Sequence, residues 1–165
     1  MFEMQMVPIL QALALLTLAN GMPVVVKKLF GSCFALPIDA GVQFLDGQPV
    51  FGSSKTIRGI VSSILVTAVL SPLVGASGGA GGLVAAFAMI GDLLSSFVKR
   101  RLRFPPSSQA LGLDQIPEAL FPLSACQSEL SLTFTDIAFC VSIFLVGELV
   151  VSRLLYRLRV RDQPY

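Results

Sequence analysis

Apolar runs of membrane-crossing length set the terms for this chain, and the placing of its few charges between them narrows the fold further. Residues 4–26, 57–74, 83–98 and 132–155 are apolar almost throughout, and residues 114–126 hold a shorter fifth run. A helix rises 1.5 Å per residue and a bilayer core is about 30 Å thick, so runs near twenty residues can cross it. The fourth run, at 114–126, is too short to cross surrounded by lipid and suits a protein-lined helix better. The expected architecture is therefore an all-α integral membrane protein, a single membrane domain over residues 1–165 with five transmembrane helices. Only 13 % of residues are charged, against roughly 25 % in soluble domains.

The cations test this reading. Lys27, Lys28, Lys55 and Arg58 stand between the first and second runs, and Lys99, Arg100, Arg101 and Arg103 between the third and fourth. Arg153, Arg157, Arg159 and Arg161 close the fifth, which accounts for all 12 lysines and arginines. Cations favour the cytoplasmic side of membrane segments. Five spans put the N-terminus outside, the C-terminus in the cytoplasm, and two cytoplasmic loops, about residues 27–56 and 99–113, on the cationic side. An even number of spans could not gather these charges together. Met1-Phe2-Glu3 lacks a basic leader pattern, so the first run reads as a retained span in a multi-pass cell-membrane protein.

Several residues are too polar for this setting. Asp92, Ser95, Ser96 and Lys99 recur at i, i+3, i+4 and i+7, on one helical face. Asp92 lies about 10 Å deeper than Lys99 along that helix. An aspartate near the centre of a span costs about 2.5 to 3.5 kcal/mol on insertion scales, which makes it a functional candidate. Asp114 follows a loop that returns to the same membrane face, so the two acids can converge, with Glu118 one turn beyond. Phe51-Gly52-Ser53-Ser54-Lys55-Thr56-Ile57-Arg58-Gly59 sets glycines, hydroxyls and two cations at a helix start, where free amides favour anions. Two carboxylates facing such cations suit a magnesium-nucleotide complex, since Mg²⁺ takes one or two protein carboxylates and keeps waters and phosphate oxygens.

Other residues leave alternatives open. Asn20-Gly21-Met22-Pro23 is either a packed kink or a break facing a cavity. Asp39 and Asp46-Gly47 read as turn residues, with a short extended pair around residues 42–44 and 50–51. Asp136 and Glu148 are structural partners or site residues, while Glu3 and Glu129 read as surface charges. With no histidine and no metal-ligand spacing, Cys33, Cys126 and Cys140 read as apolar filler. Neither a nucleophile-base pair nor a P-loop is present. A small ion transporter lined by Asp92, Asp136 and Glu148 is the rival class.

Four ordered motifs carry a resemblance. Pro37-Ile38-Asp39 with Asp46-Gly47, Phe51-Gly52-x-x-Lys55-Thr56-x-Arg58-Gly59, Gly91-Asp92-Leu93-x-x-Ser96-x-x-Lys99-Arg100-Arg101, and Gly112-Leu113-Asp114-Gln115 resemble the archaeal CDP-archaeol synthases. Those belong to the integral-membrane CTP-dependent cytidylyltransferases, which include phosphatidate cytidylyltransferase. Leu113-Asp114-Gln115 and the missing histidine depart from the bacterial pattern of that wider family. The resemblance implies CTP and a prenylated glycerol phosphate lipid as partners, Mg²⁺ as cofactor and no nucleic acid, with a homo-oligomer left open. It implies Asp92 and Asp114 as metal ligands, with Lys99 beside them in catalysis. Lys55, Thr56, Arg58, Gly59, Ser95, Ser96, Lys99, Arg100 and Arg101 are implied to bind the phosphates.

Overall fold

The computed structural model describes residues 5–105 and 107–159, so the expectations for Glu3, Met4, Arg161 and the tail from Val160 lie outside the described residues. Five helices follow in order: α1 (Met6–Phe30), α2 (Ile57–Leu70), α3 (Gly78–Arg101), α4 (Gln115–Ala125) and α5 (Phe134–Arg157). A 3₁₀ turn, Ser71–Val74, extends α2. Four of these, α1, α2 with its turn, α3 and α5, are long and apolar enough to cross a membrane. With 11 residues α4 covers only about 16 Å at 1.5 Å per residue, so it does not cross alone. This is a multi-pass membrane bundle of four long helices and one half-length helix.

Two boundaries differ from the sequence expectation. Helix α1 continues to Phe30, because Lys27 and Lys28 form its last turn, where the carbonyl end of a helix favours cations. The glycine-rich stretch before residue 83 does not break the chain but forms the first turns of α3. Ser77 caps it, accepting a hydrogen bond from the Ala80 amide at 3.0 Å. A Cβ on Gly81 would stand 2.5 Å from Ser71 Cβ and 2.8 Å from the Thr67 carbonyl, so glycine here lets α3 press against α2.

Similar close approaches bind the other seams. Pro23 of α1, which lies within a continuous helix, packs where a Cβ on Gly59 would meet it at 3.3 Å, and Ser63 donates to the Ala19 carbonyl at 2.6 Å. A Cβ on Gly91 would stand 2.6 Å from the Pro117 carbonyl carbon, fixing α3 against α4. Ile9, Leu16, Leu123, Cys140 and Phe144 join α1, α4 and α5 in one apolar core. Cys126 and Cys140 pack as expected, whereas Cys33 is exposed and fills nothing.

Cys140 lies against the Ile9 carbonyl, and Lys28 donates to the Arg159 carbonyl at 2.8 Å, so α1 and α5 run parallel. The ends of α1, α3 and α5 and the start of α2 consequently meet, and they carry all the described lysines and arginines. Asp136 sits at the opposite end, where it and Thr133 form a capping box. Its role is structural.

Gly91→Ala is expected to destabilise the detergent-solubilised protein by about 1–3 kcal/mol, because the methyl group overpacks the α3/α4 seam. Gly147→Ala, where a Cβ meets nothing within 4 Å, should be neutral or stabilising. Thermal unfolding of both variants checks the contrast; an unaltered midpoint for Gly91→Ala would remove the packing account.

Candidate functional site

At the cationic end a cavity of about 450 Å³ lies between α1, α3, α4 and α5. Asn20, Pro23, Val24, Lys27 and Lys28 line it from α1, Met89, Asp92 and Lys99 from α3, and Gln115 and Glu118 from α4. Gly31, Ser54, Lys55, Ser107, Ser108, Gln109, Asp114 and Glu148 complete the wall. Four acids therefore face four lysines, and a cavity of balanced formal charge avoids an isolated ion inside the membrane.

Lys55 meets both oxygens of Asp92, at 2.5 and 2.6 Å. Its backbone is held by the Ile38 amide, which donates to the Lys55 carbonyl at 2.8 Å, and Ile57 donates to Leu36 at 3.0 Å. Asp39 shapes this loop from within: one oxygen accepts from Phe51 and Gly52 at 2.9 and 2.8 Å, the other from Gly41 at 3.1 Å. Burial works to raise the Asp39 pKa, but these amides outweigh it and hold the carboxyl below its ordinary 3.8. Gly47 turns a small hairpin in which Phe44 donates to Gln48 and Val50 to Val42, in line with the extended pair expected around 42–44 and 50–51.

The second acid arrives from the other loop. Lys99 contacts Asp114 at 2.6 Å and donates to the Ser108 carbonyl at 2.9 Å. The Ala110 amide donates to Asp114 Oδ2 at 2.9 Å, which orients the carboxylate. Gly112, at φ +80°, turns the chain, and its amide donates to Gln115 Oε1 at 2.8 Å. Glu118 then approaches Asp92 closely enough for their carboxyl groups to share a hydrogen bond. Two carboxyl groups in that contact need a proton or a cation between them. Asp92, Glu118 and Asp114 all lie near enough to Lys55 for their charges to act on it. Among the described residues no three acids, cysteines or histidines form a complete metal cage. Hard oxygen donors from one or two carboxylates are nevertheless what Mg²⁺ uses when phosphates and waters supply the rest.

The family model described as CarS-like, CDP-archaeol synthase matches residues 6–79 and 79–165. This chain belongs to the CDP-archaeol synthase family. As a member it is a CTP-dependent lipid cytidylyltransferase. The CDP-archaeol synthase of Hyperthermus butylicus is 37 % identical over 132 residues, covering 72 % of this chain and 76 % of that protein. That of Saccharolobus islandicus is 27 % identical over 154 residues, covering 90 % and 89 %. A solved structure, described as an intramembrane enzyme for archaeal membrane lipids biosynthesis, superposes with a TM-score of 0.68 at 26 % identity, covering 83 % of this chain and 90 % of that one.

Within the family's frame, the cationic motifs divide into two sets. Lys55, Lys99, Asp92 and Asp114 are brought together in the cavity. Thr56 instead caps α2, accepting from Gly59 at 3.2 Å, and Gly59 receives Pro23. Arg58 donates to the Cys33 and Gly31 carbonyls and lies over Phe30. Arg100 donates to the Phe104 and Pro105 carbonyls at the end of α3. Arg101, between the Phe44 and Phe97 rings at 4.7 and 4.9 Å, binds Asp46 at 2.8 Å and the Gln48 and Pro49 carbonyls. Ser95 donates to the Gly91 carbonyl of its own helix at 2.9 Å, and Ser96 is buried. None of these seven lines the cavity. A helix places Lys99 toward the cavity and turns its neighbours 100° away at each step, so Arg100 and Arg101 meet loop carbonyls instead. Lys27 and Lys28, read only as the end of a span, also line the cavity, as do Asn20 and Glu148, for which the sequence left a cavity-facing role open.

Asp39 offers a pH test. Its folded-state pKa is depressed, so its contribution is complete above about pH 3.8 and is lost as pH falls through the lower folded value. A spin label at Leu45→Cys in a Cys33→Ser background should keep constant mobility from pH 7 to 5 and loosen only below 3.8. With Asp39→Asn added, the label should be mobile throughout. Equal mobility with and without Asp39→Asn would show that the carboxylate does not hold the loop.

Proposed function

We propose that this cavity is where CTP and a prenyl-ether lipid phosphate, 2,3-bis-O-geranylgeranylglycerol 1-phosphate, react on the cytoplasmic face of the membrane. The observation that carries the assignment is the convergence of Asp92, Asp114 and Glu118 with Lys55 and Lys99 around one cavity. A lipid phosphate oxygen attacks the α-phosphorus of CTP. A new P–O bond forms, the bond to the β-phosphate bridging oxygen breaks, and pyrophosphate leaves with the electron pair. The nucleophile is already an anion, so no enzyme base or covalent intermediate is required. Catalysis then rests on positioning and on neutralising phosphate charge.

The donor set fits Mg²⁺. Asp92 and Asp114 would hold it, with Glu118 beside Asp92, and the bound ion supplies positive charge to phosphate oxygens. Lys55 and Lys99, each now paired with an acid, would be free to turn toward phosphate oxygens if those acids held a cation, and would offset part of the phosphates' negative charge. Placing the lysine-rich end in the cytoplasm agrees with the preference of cations for that side, and with the origin of CTP in water.

Asp92→Asn and Asp114→Asn should each lower CMP transfer from labelled CTP to the lipid phosphate by about 10²-fold or more, a magnitude usual for loss of an electrostatic stabiliser. Chelation of divalent cations should abolish transfer and Mg²⁺ restore it. Full activity in both variants would show that the acids do not serve the reaction.

A further inference from the structure

The loop between α1 and α2 begins with a strained turn. Phe34 has φ +54°, in the left-handed region that bulky side chains seldom occupy. Its ring is 80 % exposed, so packing within the bundle does little to offset the strain. The turn is nevertheless held in place: Arg58, in the first turn of α2, donates to the Gly31 and Cys33 carbonyls and lies over the Phe30 ring. Two residues further on, Leu36 is 65 % exposed. Its carbonyl accepts from the Ile57 amide at 3.0 Å, and Pro37 and Thr56 form an antiparallel bridge. Residues opposite one another in such a pair point to the same side, so Leu36 and Ile57 share a face.

Helix lengths set the depth of that face. Ile57 opens a stripe continued by Val61, Leu65 and Val69, all exposed, which on a membrane-crossing helix is the side that meets lipid. The 14 residues of α2 and the 4 of its 3₁₀ turn cover about 29 Å at 1.5 and 2.0 Å per residue, the thickness of one bilayer core. Ile57 therefore stands at a hydrocarbon boundary, and Leu36 and the turn held by Arg58 stand level with it. From the short connection at the other end of α2, the 24 residues of α3 cover about 36 Å and so reach about 7 Å further. The hairpin that carries Leu45 is tied to this far end through Arg101 and Asp46. Leu45, 97 % exposed, is thus held clear of the boundary.

We propose that residues 34–36 form an interfacial anchor, in which Phe34 and Leu36 dip into the bilayer surface beside α2. The surface these side chains dock on is that of the membrane itself, and it is continuous with the lipid-facing stripe of α2. Apolar side chains of interfacial segments settle about 5 to 10 Å into the boundary between head groups and acyl chains, while an arginine keeps its charge among the head groups. Burial of the Phe34 ring there offsets its strained backbone. The anchor also bears on the cavity, whatever reaction occurs in it. The same segment runs on to Ile38, whose amide binds the Lys55 carbonyl at 2.8 Å, so the bilayer steadies the strand that places Lys55.

The chain has no tryptophan, so a single introduced indole reports its own surroundings. Phe34→Trp, Leu36→Trp and Leu45→Trp are each placed in lipid nanodiscs whose acyl chains carry bromine either near the head-group end or near the methyl end. Shallow bromines should remove about half of the emission of Phe34→Trp and of Leu36→Trp, deep bromines less, and aqueous iodide little. For Leu45→Trp the order should reverse, with strong quenching by iodide and almost none by either lipid. Two variants at the anchor keep the reading intact should one of them fail to fold. Iodide quenching at 34 and 36 equal to that at 45, without quenching by lipid, would overturn the anchor by placing the segment in water. Shielding from both iodide and bromine would also overturn it, by showing that a second copy of this chain or another protein covers the patch.

Discussion

The ion pair between Lys55 and Asp92 is the contact on which the site depends. Asp92 projects from a helix that otherwise suits a membrane, and an unpaired carboxylate there would be expelled or protonated. Its partner is not on a neighbouring helix face. It comes from a loop that must fold back from the end of α1, and the chain invests a large share of its polar residues in that fold. Ile38 and Ile57 fix the backbone on either side of Lys55. Asp39 gathers three amides into the turn before it. Arg101 ties the far lobe of the loop to the end of α3 through Asp46 and two carbonyls. Arg101, two residues beyond Lys99, thus helps to hold the loop that carries Lys55, and its loss would act on the site from a distance.

Close packing by small residues supplies the complementary constraint. In a bilayer, apolar side chains gain little by leaving lipid for protein, so helix association draws on van der Waals contact and polar ties. Gly59, Gly81 and Gly91 each remove a side chain where another helix passes. Gly91 stands one residue before Asp92, and its lack of a Cβ admits the Pro117-Glu118 backbone. That approach brings Glu118 to Asp92. Packing and chemistry are therefore set by adjacent residues of α3, and a larger residue at 91 would both loosen the bundle and withdraw an acid from the cavity.

Much of this was legible in the chain and some was not, for physical reasons. Hydropathy marks the long helices, since a bilayer demands unbroken apolar length. The cation distribution finds the cavity end because α1, α3 and α5 finish there while α2 begins there. Asp92 and Asp114 stand out by being acids in apolar company. The third helix starts at Gly78, ahead of the apolar run at 83–98, because its glycines leave the space that α2 needs. Arg58, Arg100 and Arg101 share a motif with cavity residues yet turn toward carbonyls, since sequence adjacency on a helix means a different face. Lys28 was hidden by the opposite effect: it belongs to an ordinary span-ending cation pattern, and only the tertiary arrangement makes it face the cavity, whereas Glu148, left open between a structural and a site role, lines it.

The half-length of α4 follows from the same geometry. A full span would carry the chain from one surface to the other without returning to the depth of Asp92. Here the loop after α3 descends below the end of that helix, using Gly112 to turn and the Ala110 amide to aim Asp114, before α4 starts. Its backbone is tolerated there because it lines a polar cavity and bonds to Lys99, Asp114 and Gln115 rather than facing hydrocarbon. The first turn of α4 then delivers Glu118 to Asp92, so a helix too short to cross places two of the cavity's four acids. Lengthening α4 toward its start would consume the loop that positions Asp114, so the short helix is what lets acids from α3 and from the loop–α4 junction meet in one cavity.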